Sequence, residues 1–299
     1  MSPGPSPSVR RRRLGAELRR LREAAGLTGD QVIARVGWAS ASKLSRLENG
    51  RSRPDLADVL DLLDLYAVGG RERDELVAVA RDAGNTRGWL RSYPVMTKRQ
   101  RGYAELESGC ADIREYATAS VPGLLQTPDY ARVRILSSRA LQQLDAVDAA
   151  ETAETEVAAR VARQGILTRP ADPTRYEAVI EETALSGRGG PPSVMRDQLA
   201  HLRRLAELPN ITLRVLPGDA TIGDRYLPHT PFSIYRFADP ADPETVAVEA
   251  LGNDLVLSEK PSVERYIVVF SWLREAALSP ADSLAWLSAR VVVPVDASD

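Results

Sequence analysis

The sequence predicts a multi-domain chain, an all-α five-helix N-terminal domain followed by an α/β C-terminal domain with one mixed or antiparallel sheet flanked by helices. Three observations predict it. Apolar residues recur at helical spacing through about the first 85 residues, the hydrophobic period shortens toward two after Pro173, and charge is spread unevenly between the two regions. At 299 residues, with 43% hydrophobic and 27% charged residues, the chain exceeds one small domain and has the composition of a folded globular protein.

Residues 1–9 are rich in Pro, Ser and Gly, and a disordered tail is expected there. Arg10, Arg11, Arg12 and Arg13 follow. Such a run is either a solvated tail or an arm lying along phosphates or in a minor groove, which makes Arg12 and Arg13 candidate DNA contacts. Leu14, Leu18 and Leu21 then mark a support helix at i, i+4, i+7 spacing.

The stretch from Gly26 to Pro54 reads as two short helices joined at an angle. Leu27, Val32, Ile33 and Val36 fit one face of a helix opening at Thr28, whose hydroxyl is placed to accept from the Asp30 or Gln31 amide. Gly37 ends that helix where a left-handed backbone is expected, and Trp38 can fill the angle that follows. Ser40 caps the second helix, with Leu44 and Leu47 turned inward. Ala41, Ser42, Lys43, Ser45 and Arg46 are left to point away from the core, a set of short polar and basic side chains suited to a major groove. Thr28, Gln31, Ser40, Arg51 and Arg53 complete the expected contacts, chiefly to phosphates. Leu56, Val59, Leu60 and Leu63 supply a closing helix after Pro54, and a fifth runs from Gly69-Gly70 to about Gly84.

Charge supports this assignment. Residues 1–53 hold twelve Lys/Arg against four Asp/Glu, residues 54–90 hold four against eight, and the remainder carries a net −6. The positive excess falls where the helix pair lies, as phosphate neutralisation requires.

The motifs "LRRLREAAGLT", "GW", "SKLSRLENG" and "RP" resemble the Xre family of lambda-repressor-type regulators. The resemblance implies a lambda-repressor-like helix-turn-helix DNA-binding domain over residues 10–86. Two departures are visible. The family commonly has Gln directly after the capping Ser/Thr, where this chain has Gly29, and Ala39 is one residue more than the usual Gly-Trp-Ser turn, which leaves the register of the reading helix open within about a residue.

Residues 87–96, with Gly, aromatics and Pro but no periodicity, are expected to be a linker, and residues 97–299 a regulatory and interaction domain. This second domain opens with helical runs, KRQRGYAELESGCADIREYA, VPGLLQTPDYARVRIL and an Ala-rich stretch from Asp145 to Gln164. After Pro173, YEAVIEETAL, ITLRVLP, FSIYRF, VAVEAL and NDLVLSE read as strands of one sheet. SVMRDQLAHLRRLAEL is an amphipathic helix between the first two, while VERYIVVFSWLREAAL and ADSLAWLSARVV close the domain.

"VPGLLQTPDYAR", "RQGIL", "EETAL", "LAHLRRLAELPNITLRVLP" and "FSIYRF" are similar to the C-terminal domain shared by a large actinomycete group of Xre-type regulators, a domain of unknown function. That resemblance implies a regulator of development or specialised metabolism, repressors among them, often encoded beside a very small partner protein in a pair likened to toxin–antitoxin systems. The apolar excess of PGLLQTPDYARVRIL makes Leu124, Leu125, Gln126, Thr127 and Tyr130 the candidate partner-binding rim.

Catalytic chemistry is thinly supplied. There are two histidines, His201 and His229, and one cysteine, Cys110, with no metal-ligand spacing among them, so no metal and no cofactor are expected. Cys110 reads as a packed side chain, and the absence of a second cysteine suits a reducing cytoplasm. Glu181-Glu182 would point to opposite faces of a strand. Ser186 to Gly190 is the one glycine-rich loop before a helix. It is read as a connection, with anion binding the alternative, since Pro191 and Pro192 donate no amides. No apolar run is long enough for a transmembrane helix, and the N-terminal arginines precede no secretory apolar segment. The expected function is a dimeric, sequence-specific DNA-binding regulator of the cytoplasm, signalled to by a small partner protein. A one-component sensor of a small-molecule effector is the alternative, and a DNA-tethered enzyme the remaining one.

Overall fold

The computed structural model describes residues 6–85, 96, 98–142, 151–250 and 254–291. These residues form two compact units. The first holds the N-terminal helices together with Tyr103–Cys110 and Phe237–Pro243, and the second holds most of the chain from Ala111 on. The expected linker lies almost wholly outside the described residues.

Five helices build the first unit: α1 (Pro7–Ala24), α2 (Gly29–Val36), α3 (Ala41–Glu48), α4 (Leu56–Leu65) and α5 (Gly70–Gly84). Helix α1 starts within the segment expected to be disordered, because Ser6 accepts from the Val9 amide and Pro7 occupies the first turn, where its missing N–H costs nothing. One buried cluster unites all five helices, with Leu14, Leu18, Val32, Leu44, Val59 and Leu62 at its centre. Each fully buried side chain of this size contributes about 1.5–3 kcal/mol. Helix α1 packs along α5 and crosses the end of α3 at Gly15, where a Cβ would stand 2.5 Å from the Glu48 carbonyl oxygen. Only glycine permits that approach.

Helix α6 (Lys98–Glu107) precedes β1 (Cys110–Ala117), which joins β2 (Arg175–Glu181), β3 (Ile211–Leu216), β4 (Phe232–Phe237), β5 (Thr245–Val248) and β6 (Leu255–Leu257) in a six-stranded sheet. The order is β3-β2-β1-β4-β5-β6. Strands β1, β2 and β3 pair in parallel, while β4, β5 and β6 pair antiparallel, so the sheet is mixed. Helices α7 (Pro128–Gln142), α8 (Glu151–Arg163), α9 (Gly165–Thr168), α10 (Glu182–Leu185), α11 (Pro192–Leu205), α12 (Lys260–Ala276) and α13 (Pro280–Val291) complete the fold. The first part of the stretch expected to be helical from Asp145 lies outside the described residues; α8 begins at Glu151.

Strand β1 corrects the sequence reading, which extended a helix through GCADIREYA. Gly109 at φ 75° ends the helix, and β1 then lies inside the sheet beside β2 and β4. Cys110, Ile113 and Tyr116 are buried at intervals of three, a spacing that mimics a helix, because a strand covered on both faces need not alternate. Glu181 and Glu182 do not share a strand either. β2 ends at Glu181, which accepts the Tyr116 hydroxyl, while Glu182 opens α10 and pairs with Arg290.

Candidate nucleic-acid interface

Helix α2 is fixed at its start by a reciprocal cap. The Gln31 amide donates to Thr28 Oγ1 at 3.3 Å, and the Thr28 amide donates to Gln31 Oε1 at 2.8 Å, which leaves the Gln31 side-chain nitrogen as a donor. Gly37, left-handed at φ 70°, turns the chain toward α3, and Trp38 packs against the core as expected. Ser40 caps α3 by accepting the Ser42 amide at 3.2 Å, so the extra residue Ala39 sits in the turn and the helix begins at Ala41.

Leu44 and Leu47 face the core, which sets the opposite side of α3 toward solvent. Ala41, Ser42, Ser45, Arg46 and Asn49 are all exposed there. Arg46 Nη1 donates to Ser42 Oγ at 3.0 Å, and Ser42 shares a 2.7 Å hydroxyl contact with Ser40. Arg46 therefore lies along the face with donors to spare. Asn49 donates to the Ser45 carbonyl oxygen at 2.7 Å and accepts from Arg19 at 3.0 Å. It was not in the sequence-derived set, although it stands three residues past Arg46; carrying the helical period one turn further would have found it.

The inner anchor of α3 is Glu48. Its carboxylate takes two hydrogen bonds from Arg22, at 2.7 and 3.1 Å, and one from Arg19 at 3.4 Å. The bond to Glu48 raises the Arg22 pKa further above its ordinary value. A buried fork of this kind fixes the rotation of α3 about its axis, and hence which side chains face out. Against the same background burial pushes the nearby Tyr66 phenol up to about 12.

Three expected contacts, Lys43, Arg12 and Arg13, are placed differently. Lys43 is drawn back from the outer face, its ammonium 2.6 Å from Asp58 and 4.3 Å from the centre of the Trp38 ring, so it props the turn. The arginine run is part of α1 rather than a free arm. Arg13 reaches Asp239 at 2.8 Å and Asp242 at 3.4 Å, Arg10 meets the same pair at 3.0 and 3.4 Å, and Arg11 pairs with Glu105 at 2.8 Å. Arg12 is half-buried in the same turn. Burial pushes the Asp242 carboxyl up, opposed by Arg10; Asp239 is pushed the same way by burial, but the Ala241 amide and Arg13 outweigh it and hold that carboxyl below its usual range.

Of the twelve basic residues in positions 1–53, four make no ion pair among the described residues: Arg35, Arg46, Arg51 and Arg53. All four are exposed, and they lie on α2, on α3 and on the segment that leaves α3. Arg53 extends beside Gly84 and, with Arg81 and Asn85, lines a groove of ≈ 590 Å³ at the end of α5.

The candidate partner-binding rim is core. Leu124, Leu125, Gln126 and Tyr130 are buried, and only Thr127 is partly open. Gln198, fully buried on α11, donates to the Leu125 carbonyl oxygen and accepts the Thr127 amide, each at 2.7 Å. Gln126 donates to the Val121 carbonyl oxygen and accepts from Arg160, while the Tyr130 hydroxyl accepts the Val121 amide. The apolar excess of this segment is spent on holding its own turn against α8 and α11.

A reading helix seated on a capped partner helix, with its outer face open and with Arg35, Arg46, Arg51 and Arg53 making no ion pair among the described residues, defines a helix-turn-helix DNA-binding protein. Residues 13–76 accordingly match the helix-turn-helix domain family. Residues 100–289, more than half of the chain, match the family described as "Domain of unknown function (DUF5753)", and the protein belongs to that family. No curated protein and no solved structure matches it. Among the described residues, no helix is long and apolar enough to cross a membrane.

Proposed function

We propose that the protein is a sequence-specific transcriptional regulator of the Xre type, a cytoplasmic, nucleoid-associated and non-catalytic protein that reads double-stranded DNA as a homodimer. The observation that carries this reading is the segregation of cations within positions 1–53: among the described residues, those on α1 are paired with carboxylates or half-buried, and the four without ion pairs lie on α2, on α3 and on the segment that leaves α3. Such a face can enter a major groove, with Arg46 donating two hydrogen bonds to a guanine and Asn49 placed to address an adenine. Thr28, Gln31, Arg51 and Arg53 are positioned for phosphates on either side. A single head of this size contacts few base pairs, so useful specificity needs two heads about 34 Å apart on one face of the duplex.

Fluorescence anisotropy with operator DNA selected from random sequence tests the assignment. A selected motif bound in two-to-one stoichiometry, with binding weakened by Arg46→Ala/Asn49→Ala, is the expected result; a double variant that binds the same motif with unchanged affinity refutes it. On the strength of the actinomycete resemblance, the C-terminal domain is bound by a very small protein encoded nearby. Co-purification with that neighbour, and a change in operator affinity on adding it, is the corresponding test. The second reading, a one-component sensor of a small molecule, is favoured by an aromatic groove beside α12. Either signal must bind the DNA-competent and incompetent arrangements with different affinity.

A further inference from the structure

In the second unit, strand β6, the loop at residues 226–230 and helix α12 enclose an open groove of ≈ 840 Å³. Small-molecule sites span about 300–1,000 Å³, so its size suits an organic ligand better than a folded partner. Tyr226, Tyr266, Trp272, Leu257 and Val268 supply large apolar side chains to the wall. Tyr226 is 61% exposed and Val268 45% exposed, so large apolar side chains of this wall stand open to water. The floor is rigid. Tyr266 meets Phe232 edge-on at 4.9 Å, and Phe232 packs on Tyr116 at 5.7 Å within the sheet core.

The charges at the rim decide what fits. Glu264 and Arg265 are the charged lining residues, and Glu264 faces Lys260 at 3.9 Å. Arg265 also lines the groove, is exposed, and makes no ion pair among the described residues. Of the two charged lining residues, Arg265 is the one without an ion-pair partner among the described residues, and three aromatic rings share the lining with it. Burial and the neighbouring Tyr226 push the Tyr266 phenol up, so it stays a neutral donor at physiological pH. An organic cation would meet Arg265 unfavourably and an uncharged ligand would leave it unused, whereas a carboxylate can take two parallel hydrogen bonds from it.

We propose that this groove binds an amphipathic organic anion, a carboxylate on an apolar body, with Arg265 as its anchor and the Tyr226–Tyr266–Trp272 wall holding the body. The site deepens the small-molecule reading given above and rests on it for any effect on DNA; binding itself rests on the groove alone. The test uses the full chain and isothermal titration with three probes sharing one body, decanoate, decanol and decyltrimethylammonium. Decanoate is expected to bind one per chain at least tenfold more tightly than the other two. Arg265→Ala should abolish that preference and Arg265→Lys should restore part of it, while Arg274→Ala, outside the groove, should change nothing. Equal affinity for the three probes, tighter binding of decyltrimethylammonium, or no binding overturns the proposal. So does loss of a dimer in light scattering on Val268→Glu together with no decanoate binding, which would make the groove a contact between copies. Anisotropy on operator DNA in the same samples separates the readings: Arg46→Ala/Asn49→Ala should leave decanoate binding intact, and decanoate binding that leaves operator affinity unchanged would retain the site and remove its regulatory role.

Discussion

Arg10–Arg13 in α1 and Arg46, Arg51 and Arg53 around the end of α3 carry the same charge on the same side chain, yet the first unit uses them in opposite ways. The first group is half-buried, with Asp239 and Asp242 closed on Arg10 and Arg13 and Glu105 on Arg11. The second is exposed and without ion pairs among the described residues. Positive charge near a DNA-binding helix is thus not by itself a phosphate contact, because a guanidinium already held by carboxylates gains little by exchanging them for phosphate. One group holds the fold and the other is free to bind.

Asp242→Ala separates the two groups of arginines most sharply. It removes a carboxylate that is 6% exposed from between Arg10 and Arg13, and is expected to cost about 2–4 kcal/mol of stability in urea unfolding. Operator affinity of the folded fraction should not fall. A weakened affinity with unchanged stability would reverse the roles assigned to the two groups.

Next in size is Arg46→Ala, which should lose about 1–2 kcal/mol of discrimination against wrong operator bases while leaving the melting temperature within about a degree. Competition binding with single-base operator variants measures it. Lys43→Ala, by contrast, should act on stability first, since Lys43 is engaged by Asp58 and Trp38.

A finer separation comes from salt. Arg53→Ala should lower the slope of log affinity against log salt by about one unit for every sequence, and Arg13→Ala should leave that slope unchanged. Equal slopes for the two variants would erase the distinction between paired and open arginines.

The smallest effect is a control in the second unit. Burial, with Arg204 adding to it, lowers the pKa of His201 below 6.5. The unfolded chain therefore takes up a proton at His201 before the folded one does, so this contribution to stability is lost as pH falls through 6.5. His201→Asn should flatten the decline in melting temperature between about pH 7 and about pH 5.5. DNA-face variants should retain the slope of the parent protein.

Much of the reading head was legible in the sequence because its determinants are local. Thr28 and Ser40 cap helices through contacts two or three residues away, Gly37 supplies a left-handed turn, and Leu44 and Leu47 set the inner face of α3 by spacing alone. Asn49, exposed on the same face, lies one turn beyond the set that this spacing was carried to. Lys43 was misplaced because its partner, Asp58, lies on another helix.

The order of helices, the capped turn, the outward set of α3 and the change from helical to strand period are written locally in the chain, since backbone sterics and side-chain spacing act over a few residues. Tertiary structure alone decided which arginines remain open, that GCADIREYA is an inner strand, and that Leu124, Leu125, Gln126 and Tyr130 are core. Each of these depends on a group far along the chain, Asp239 for Arg13, β2 and β4 for β1, Gln198 for the turn at Leu125, and burial or pairing by a distant residue leaves no periodic trace in the sequence near the residue it governs.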